Sequence, residues 1–439
     1  MTDVTFTAEA AFDRSLFWER GKSVRYCVAR LRARRDGEAR GQRTPLNIAL
    51  VIDASGSMGG GKLEAAKQAA AGLAERLGEG DRLSLVSFAS DVQVHCDSLE
   101  ATHDNAGRIR AAIAGLETRG MTHLSGGWFA GVECAARIAE ADPAMTPRVI
   151  ILSDGHANEG ITDAAELREH AGELRLRGVL TSCLGIGDGY DEHLLRGLAE
   201  SGGGRLHDAE LTSEISSVLL GELDDIFGTI VEDAAIDLAV PAGVEVEPLG
   251  LGNTQRRPDG LLVSLGPVQN DVERIAVFKV TCPTARARDE LEFRLTASAR
   301  AVDDGAMLES DPVILRLAAA EGSRNTAQPR DVELAAIVAR IWSADVVSTA
   351  ARMNRDGAFR EARDYVRGQL RHFARYVDGL DGAERMVREL ELLARSVERD
   401  FSPRMQKEMV LQSALLMESR KDYRGADKAA WAERLARGD

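Results

Sequence analysis

Three short segments, far apart in the chain, carry side chains that could meet on one hard metal ion. They are Asp53-Ala54-Ser55-Gly56-Ser57, Gly120-Met121-Thr122-His123-Leu124-Ser125-Gly126 and Ser153-Asp154-Gly155. The candidate ligands are Asp53, Ser55, Ser57, Thr122 and Asp154. All offer oxygen, which suits Mg²⁺, with Mn²⁺ as a substitute, and does not suit zinc. Hydroxyls ligate without adding charge, and aspartates can hold the ion through bound waters. An ion held in this way keeps its attraction for an incoming carboxylate. Gly56 lets the backbone turn tightly between the two serines.

Each segment follows an apolar run, which is where an open α/β sheet gathers its functional loops. Residues 46–52 are apolar except for Asn47, as a central parallel strand requires. Strands are also expected at 83–88, 92–96, 149–152 and 179–186, with Ala89-Ser90-Asp91 linking the first two of these. Helical periodicity covers 62–77, 109–116, 128–139, 164–177, 192–200 and 214–230. The first of these helices starts close behind the serines, so its dipole would add pull on an anion. Strand–helix alternation over 45–231 implies a doubly wound, mostly parallel sheet.

The flanks differ. In residues 1–44, Val24, Tyr26 and Val28 alternate as in a half-buried strand, and Gly37 and Gly41 punctuate the stretch after it. Residues 232–318 hold short β-like runs separated by Pro and Gly, the pattern of an antiparallel sandwich. The 1–44 strands are expected to complete that sandwich, since they could not bury a core alone. The α/β domain would then be an insertion in it. Residues 319–329 read as a linker and 330–439 as an α-helical C-terminal domain, with Asp331 as an N-cap.

Asp53-x-Ser55-x-Ser57, Thr122 and Asp154 together resemble the metal-ion-dependent adhesion site of the von Willebrand factor A domain family, over about residues 45–231. The resemblance implies the doubly wound sheet with one short antiparallel edge strand. It also implies Ser55, Ser57 and Thr122 as hydroxyl ligands, and Asp53 and Asp154 as the carboxylate positions. The flanking β segments resemble those of bacterial intracellular members.

Several other features have plainer readings. Gly56 to Lys62 has the spacing of a phosphate-binding loop, but Leu63 stands where Ser or Thr would ligate Mg²⁺. Gly185-Ile-Gly187-Asp188-Gly189 lacks the spacing of a dinucleotide fingerprint. His123 and His156 flank site residues and are expected as ordinary loop histidines, and Trp128 as a helix residue packed on the sheet. Ser125 and Ser153 have histidines nearby, but nothing identifies a hydrolase elbow.

The chain has 439 residues, 44% apolar and 28% charged, with a net charge of −15. That charge argues against nucleic acid and against anionic membrane surfaces as partners. The cluster Arg30, Arg32, Arg34 and Arg35 is expected to be solvated positions on a strand and its turn. Five widely spaced cysteines fit buried thiols in a reducing compartment. No signal peptide is visible, and no unbroken apolar run approaches the roughly 20 residues that span a bilayer. The expectation is a cytoplasmic, non-enzymatic scaffold or adaptor that binds a partner's Asp or Glu through Mg²⁺. A structural assembly subunit with a purely stabilising metal site is the alternative, and a phosphate-loop NTPase the third reading.

Overall fold

The computed structural model describes residues 4–35, 44–141, 145–250, 254–418, 423 and 431–437, so Gly37 and Gly41 lie outside it. In chain order the first strands are β1 (Val4–Phe12), β2 (Leu16–Trp18) and β3 (Val24–Arg35). An α/β stretch comes next. Its strands are β4 (Leu46–Asp53), β5 (Arg82–Phe88), β6 (Val92–Glu100), β7 (Thr146–Ser153), β8 (Leu180–Ile186) and β9 (Gly203–Ala209). Its helices are α1 (Lys62–Arg76), α2 (His103–Ala114), α3 (Leu124–Ala141), α4 (Ala164–Leu176), α5 (Glu192–Ser201) and α6 (Ile215–Gly228). Two compact units result: residues 38–228 with 423–426, and residues 1–37, 229–422 and 427–439.

The α/β unit is a six-stranded sheet in the order β6-β5-β4-β7-β8-β9. Only β6 is antiparallel to its neighbour. From β4 the chain first builds outward through β5, then returns to add β7 on the other side. The strand order therefore reverses between β4 and β7, and a crevice opens past their carboxyl ends. Alternate β4 residues face opposite ways. Ile48, Leu50 and Ile52 pack with residues of α1, α2 and α6, while Ala49 and Val51 pack with α3 and α5. Both faces are covered, which is why the strand is a continuous apolar run. Helix α3 lies unusually close to the sheet. A Cβ at Gly127 would fall 2.5 Å from Phe88, and one at Gly131 2.4 Å from Val51. This close seat fixes where the loop before α3 emerges.

The second unit resumes with β10 (Thr229–Ala239), β11 (Glu245–Leu249), β12 (Thr254–Arg257), β13 (Gly260–Gln269), β14 (Glu273–Thr281), β15 (Glu290–Ala301), β16 (Met307–Glu309) and β17 (Val313–Ala320). It forms a four-stranded sheet, β1-β3-β14-β11, and a seven-stranded sheet, β12-β13-β10-β15-β17-β2 with β16 beside β15. Phe17, Leu31, Phe278 and Phe293 are part of the core between them. The remaining elements are the helices α7 (Gly322–Ala327), α8 (Val332–Arg355), α9 (Phe359–Val377), α10 (Ala383–Ser396), α11 (Pro403–Met417) and α12 (Trp431–Arg437). Helices α8 to α12 supply a second core that takes in Tyr26, Val28, Ile275 and Val277 from the other face of the four-stranded sheet.

This layering changes two readings. β3 is not half-buried: Cys27, Ala29 and Leu31 face the opposing sheet while Tyr26 and Val28 face the helices. Residues 319–329, expected as a linker, hold the end of β17 and all of α7, because Ala319 and Ala320 pair with Phe17 and Trp18 of β2. Of the clustered arginines, Arg32 and Arg34 are exposed as expected, and three also form ion pairs: Arg30 with Glu333, Arg32 with Glu273 at 2.8 Å, and Arg35 with Asp303 at 2.5 Å. α8 is the one helix among the described residues long and apolar enough by composition to cross a membrane, and 67% of that window is buried inside the protein. All five cysteines are free and buried, and burial pushes the Cys96, Cys134 and Cys282 thiols up to about 11.

A buried polar cluster ties the last helix of the α/β unit to its edge. Glu222 of α6 accepts from Ser182 of β8 at 2.5 Å and lies 2.6 Å from His207 Nε2 of β9. Burial opposes the Glu222 charge, but His207, Arg205 and Ser182 overcome it and bring the carboxyl from 4.5 to about 2. A depressed carboxylate stabilises the fold above its unfolded pKa, and that contribution is lost as pH falls through the folded value. Glu222→Gln is expected to cost on the order of 3 kcal/mol at pH 7. The gap to the unmodified chain should close as pH falls from 4.5 toward 2 in denaturant titrations of the full chain; a gap independent of pH would contradict this origin.

Candidate metal centre

Asp53 is the last residue of β4 and Ser153 the last of β7, so both stand at the mouth of the crevice. Asp53 is buried and fully engaged. Its Oδ1 accepts from the Ser55 amide at 2.8 Å, and its Oδ2 accepts from the Ser153 hydroxyl at 2.6 Å. Burial pushes the Asp53 carboxyl above its ordinary value, the bonds from Ser153 and Ser55 pull it back, and the charge of Asp154 pushes it up again. The two carboxylates are therefore close enough to repel.

The serines form a chain of hydroxyls. Ser55 Oγ and Ser57 Oγ lie 2.9 Å apart, and Ser57 donates to Asp154 Oδ1 at 2.7 Å. Ser55 precedes a single 3₁₀ turn, Gly56–Met58, whose Met58 side chain is buried in the core. That anchored turn holds Ser57 at the surface. It also shows the Gly56–Lys62 stretch as a tight turn followed by a helix start.

Thr122 comes from the loop before α3, and its backbone is clamped from both sides. Its amide donates to Asn158 Oδ1 at 2.8 Å, and its carbonyl accepts from the amides of Asn158 and Glu159 at 3.1 and 3.3 Å. The same loop joins the first segment where the Gly56 amide donates to the Gly120 carbonyl at 3.2 Å. The three segments thus hold one another in place.

Gly155 shows how closely the oxygens converge. A Cβ built there would lie 3.5 Å from Ser57 Oγ, 3.6 Å from Thr122 Oγ1 and 4.0 Å from Asp53 Oδ2. One methyl-sized space is thus lined by oxygens from β4, the serine turn and the Thr122 loop. Among the described residues no three His, Cys, Asp or Glu side chains group to hold a metal, and the donor set here is instead two carboxylates and three hydroxyls. Such a set, all oxygen and in one place, fits a hard divalent cation and not a soft one.

Comparison with known proteins bears on the fold that carries these segments. Residues 47–219 match the family model of the von Willebrand factor type A domain. That segment is a von Willebrand factor type A domain. The uncharacterized protein sll0103 of Synechocystis sp. is 34% identical over 174 residues, which is 39% of this chain and 40% of that protein. Inter-alpha-trypsin inhibitor heavy chain H3 of Homo sapiens is 35% identical over 130 residues, 29% of this chain and 15% of that one. The match therefore spans less than half of either relative. Among solved structures, a von Willebrand factor type A protein from Catenulispora acidiphila aligns over 93% of this chain and 96% of its own, with TM-score 0.67 and 17% identity. The ArnB paralog VWA2 from Sulfolobus acidocaldarius aligns over 94% and 98%, with TM-score 0.56 and 14% identity. Both share the fold.

Three contributors to the A domain's rim are not assigned by sequence. Ser153 is visible there only as part of a motif, yet it holds Asp53. Asn158, which clamps Thr122, carries no sequence signal. Lys62 stands in the sequence only as the end of a phosphate-loop spacing, yet its ammonium is paired with Asp154 Oδ2 and lies 3.3 Å from the Ser57 carbonyl. The flanking candidates settle into ordinary roles. Trp128 is fully buried, with its indole donating to Thr181 at 3.2 Å. Ser125 accepts from the Ile161 amide at 2.9 Å. His123 packs over Gly126 and Gly160, and His156 is exposed with Nδ1 3.6 Å from Asp191.

Ser153→Ala removes the donor to a buried carboxylate without altering the strand. It is expected to lower stability by about 1.5–3 kcal/mol, the usual contribution of a hydrogen bond to a charged group. Denaturant unfolding at neutral pH reads this; no loss of stability would mean that Asp53 does not depend on the bond.

Proposed function

We propose that this chain is a divalent-metal-dependent protein-interaction module, a cytoplasmic scaffold or adaptor rather than an enzyme. Its A domain would carry an intact metal-ion-dependent adhesion site that takes up an Asp or Glu side chain of a partner protein. The observation that carries this reading is the convergence of Ser57, Thr122 and Asp53 oxygens on the space beside Gly155. Ser55, Ser57 and Thr122 would hold Mg²⁺, or Mn²⁺ in its place, through their hydroxyls, and Asp53 and Asp154 would hold it from further out. Bound there, the ion supplies a coordination position for the partner's carboxylate.

The chain's own residues support this division of labour. Asp53 is already committed to Ser153 and the Ser55 amide, which fixes its orientation and makes it a backing charge. Ser57 is exposed, as the innermost point of a partner's contact has to be. Met121 is half exposed beside Thr122, with its amide held by Ser90 Oγ at 2.9 Å. It offers an apolar contact next to the charged one. The hydroxyls of Ser125 and Ser153 are engaged in structural bonds, which favours binding over nucleophilic chemistry. The non-enzymatic, cytoplasmic and scaffolding parts of the reading rest on the sequence arguments and on what A domains commonly do, since the relatives are matched over less than half their length.

Mg²⁺ is expected to raise the melting temperature of the full chain, because a ligand that binds only the native state stabilises it by mass action. Ser55→Ala with Ser57→Ala should abolish the shift while leaving the circular dichroism spectrum native. Gly155→Ala should do the same, since its methyl would sit in the space the oxygens share. Capture of a partner should fail in EDTA and with Asp53→Ala. No thermal shift at millimolar Mg²⁺, or capture that survives both treatments, would contradict the proposal.

A further inference from the structure

Lys62 is a charged residue of the rim that the metal reading leaves without a role, and its placement follows from the fold. It is the first residue of α1, reached through a left-handed Gly61, and this start returns its side chain over the serine turn. Its ammonium pairs with Asp154 Oδ2 while Asp154 Oδ1 takes the Ser57 hydroxyl. The stem runs beside the turn after β8, where a Cβ at Gly187 would lie 3.8 Å from Lys62 Cε. The pair is asymmetric: the Asp154 side chain is 0% exposed, whereas that of Lys62 is 32% exposed. Exposed ion pairs contribute little because water screens both partners. Here one partner is shielded from bulk solvent, so the pair is screened less than a surface one.

We propose that Lys62 is a built-in competitor of the divalent cation, a residue that sets how tightly the site binds metal. The inference rests on the reading of this site as a cation site. Asp154 has two oxygens, one engaged by Ser57 and the other by Lys62. A cation drawing on Asp154 therefore has to share that carboxylate with an ammonium or displace it. The two positive charges also repel across a rim where screening is incomplete. The ammonium lowers the affinity that two carboxylates and three hydroxyls would otherwise give. It also raises the charge a competing cation needs, so that a divalent ion enters where a monovalent one does not. The opposite role, in which Lys62 only orients Asp154 for the metal, predicts the opposite sign when the charge is removed.

Calorimetric titration of the full-length chain with MgCl₂, and separately with MnCl₂, distinguishes the two. Lys62→Met keeps the length of the side chain and removes its charge. It is expected to bind about tenfold more tightly or better, which is a difference of about 1.4 kcal/mol. Lys62→Arg retains the charge and should bind no more tightly than the unmodified chain. Lys67→Met is the control for net charge, because Lys67 lies on the same helix but bonds the Ala114 carbonyl at 3.1 Å and pairs with Glu64 at 3.7 Å. It should bind as the unmodified chain does. Unchanged or weaker binding by Lys62→Met, or equal tightening by Lys67→Met, would overturn the inference while leaving the metal site standing. No uptake of either ion by any variant at millimolar concentration would overturn both. Circular dichroism of each variant shows that it has folded.

Discussion

The hydrogen bond from Ser153 to Asp53 is the interaction on which the site depends. It joins the last residues of two adjacent parallel strands, β4 and β7, across the point where the strand order reverses. The serine turn and Asp154 are placed directly from it. Asp53 receives the Ser55 amide and so starts the serine turn, and the residue after Ser153 is Asp154, which receives Ser57. Two carboxylates are thereby brought together at low dielectric. Unassisted, that is an unfavourable arrangement, and burial and mutual repulsion both push the Asp53 carboxyl up. The hydroxyls around the pair offset part of this cost, Lys62 brings a positive charge to Asp154, and a divalent cation would bring two.

The fold makes that arrangement durable by covering both faces of the sheet. α3 approaches closely enough, over Gly127 and Gly131, that the Thr122 loop has little room to wander. Met58 anchors the serine turn from beneath, and the clamp from residues 158 and 159 fixes Thr122 from the side. Rigid strands thus supply the carboxylates and braced loops supply the hydroxyls, the division expected of a preorganised binding site.

How much of this could be read from sequence depended on how local the signal was. β4 and β7 announced themselves because a strand buried on both faces has no polar alternation to confuse. The segments carrying Asp53, Ser55, Ser57, Thr122 and Asp154 were legible because each comes directly after an element with a strong pattern. β3 misled for the complementary reason. Tyr26 and Val28 look like one buried face, and the small Cys27, Ala29 and Ala33 conceal the other. Ala319 and Ala320 looked like a linker because their pairing partner, β2, is only three residues long and some 300 positions away. Asn158 and Lys62 were missed as contributors because their roles exist only through contacts with other segments. Nothing adjacent to either in sequence points to Thr122 or Asp154.

The second unit is held by a different logic, with one four-stranded sheet serving two cores, the opposing sheet on one face and the helices on the other. In the A domain, Ser55, Ser57, Thr122, Asp53 and Asp154 would form one site for a hard divalent cation. Anomalous diffraction at the manganese edge, from crystals of the full chain grown in MnCl₂, tests it most directly. The account predicts a single strong peak among the three hydroxyls, beside Gly155. A peak elsewhere, or no peak at this rim in well-ordered crystals, would contradict it.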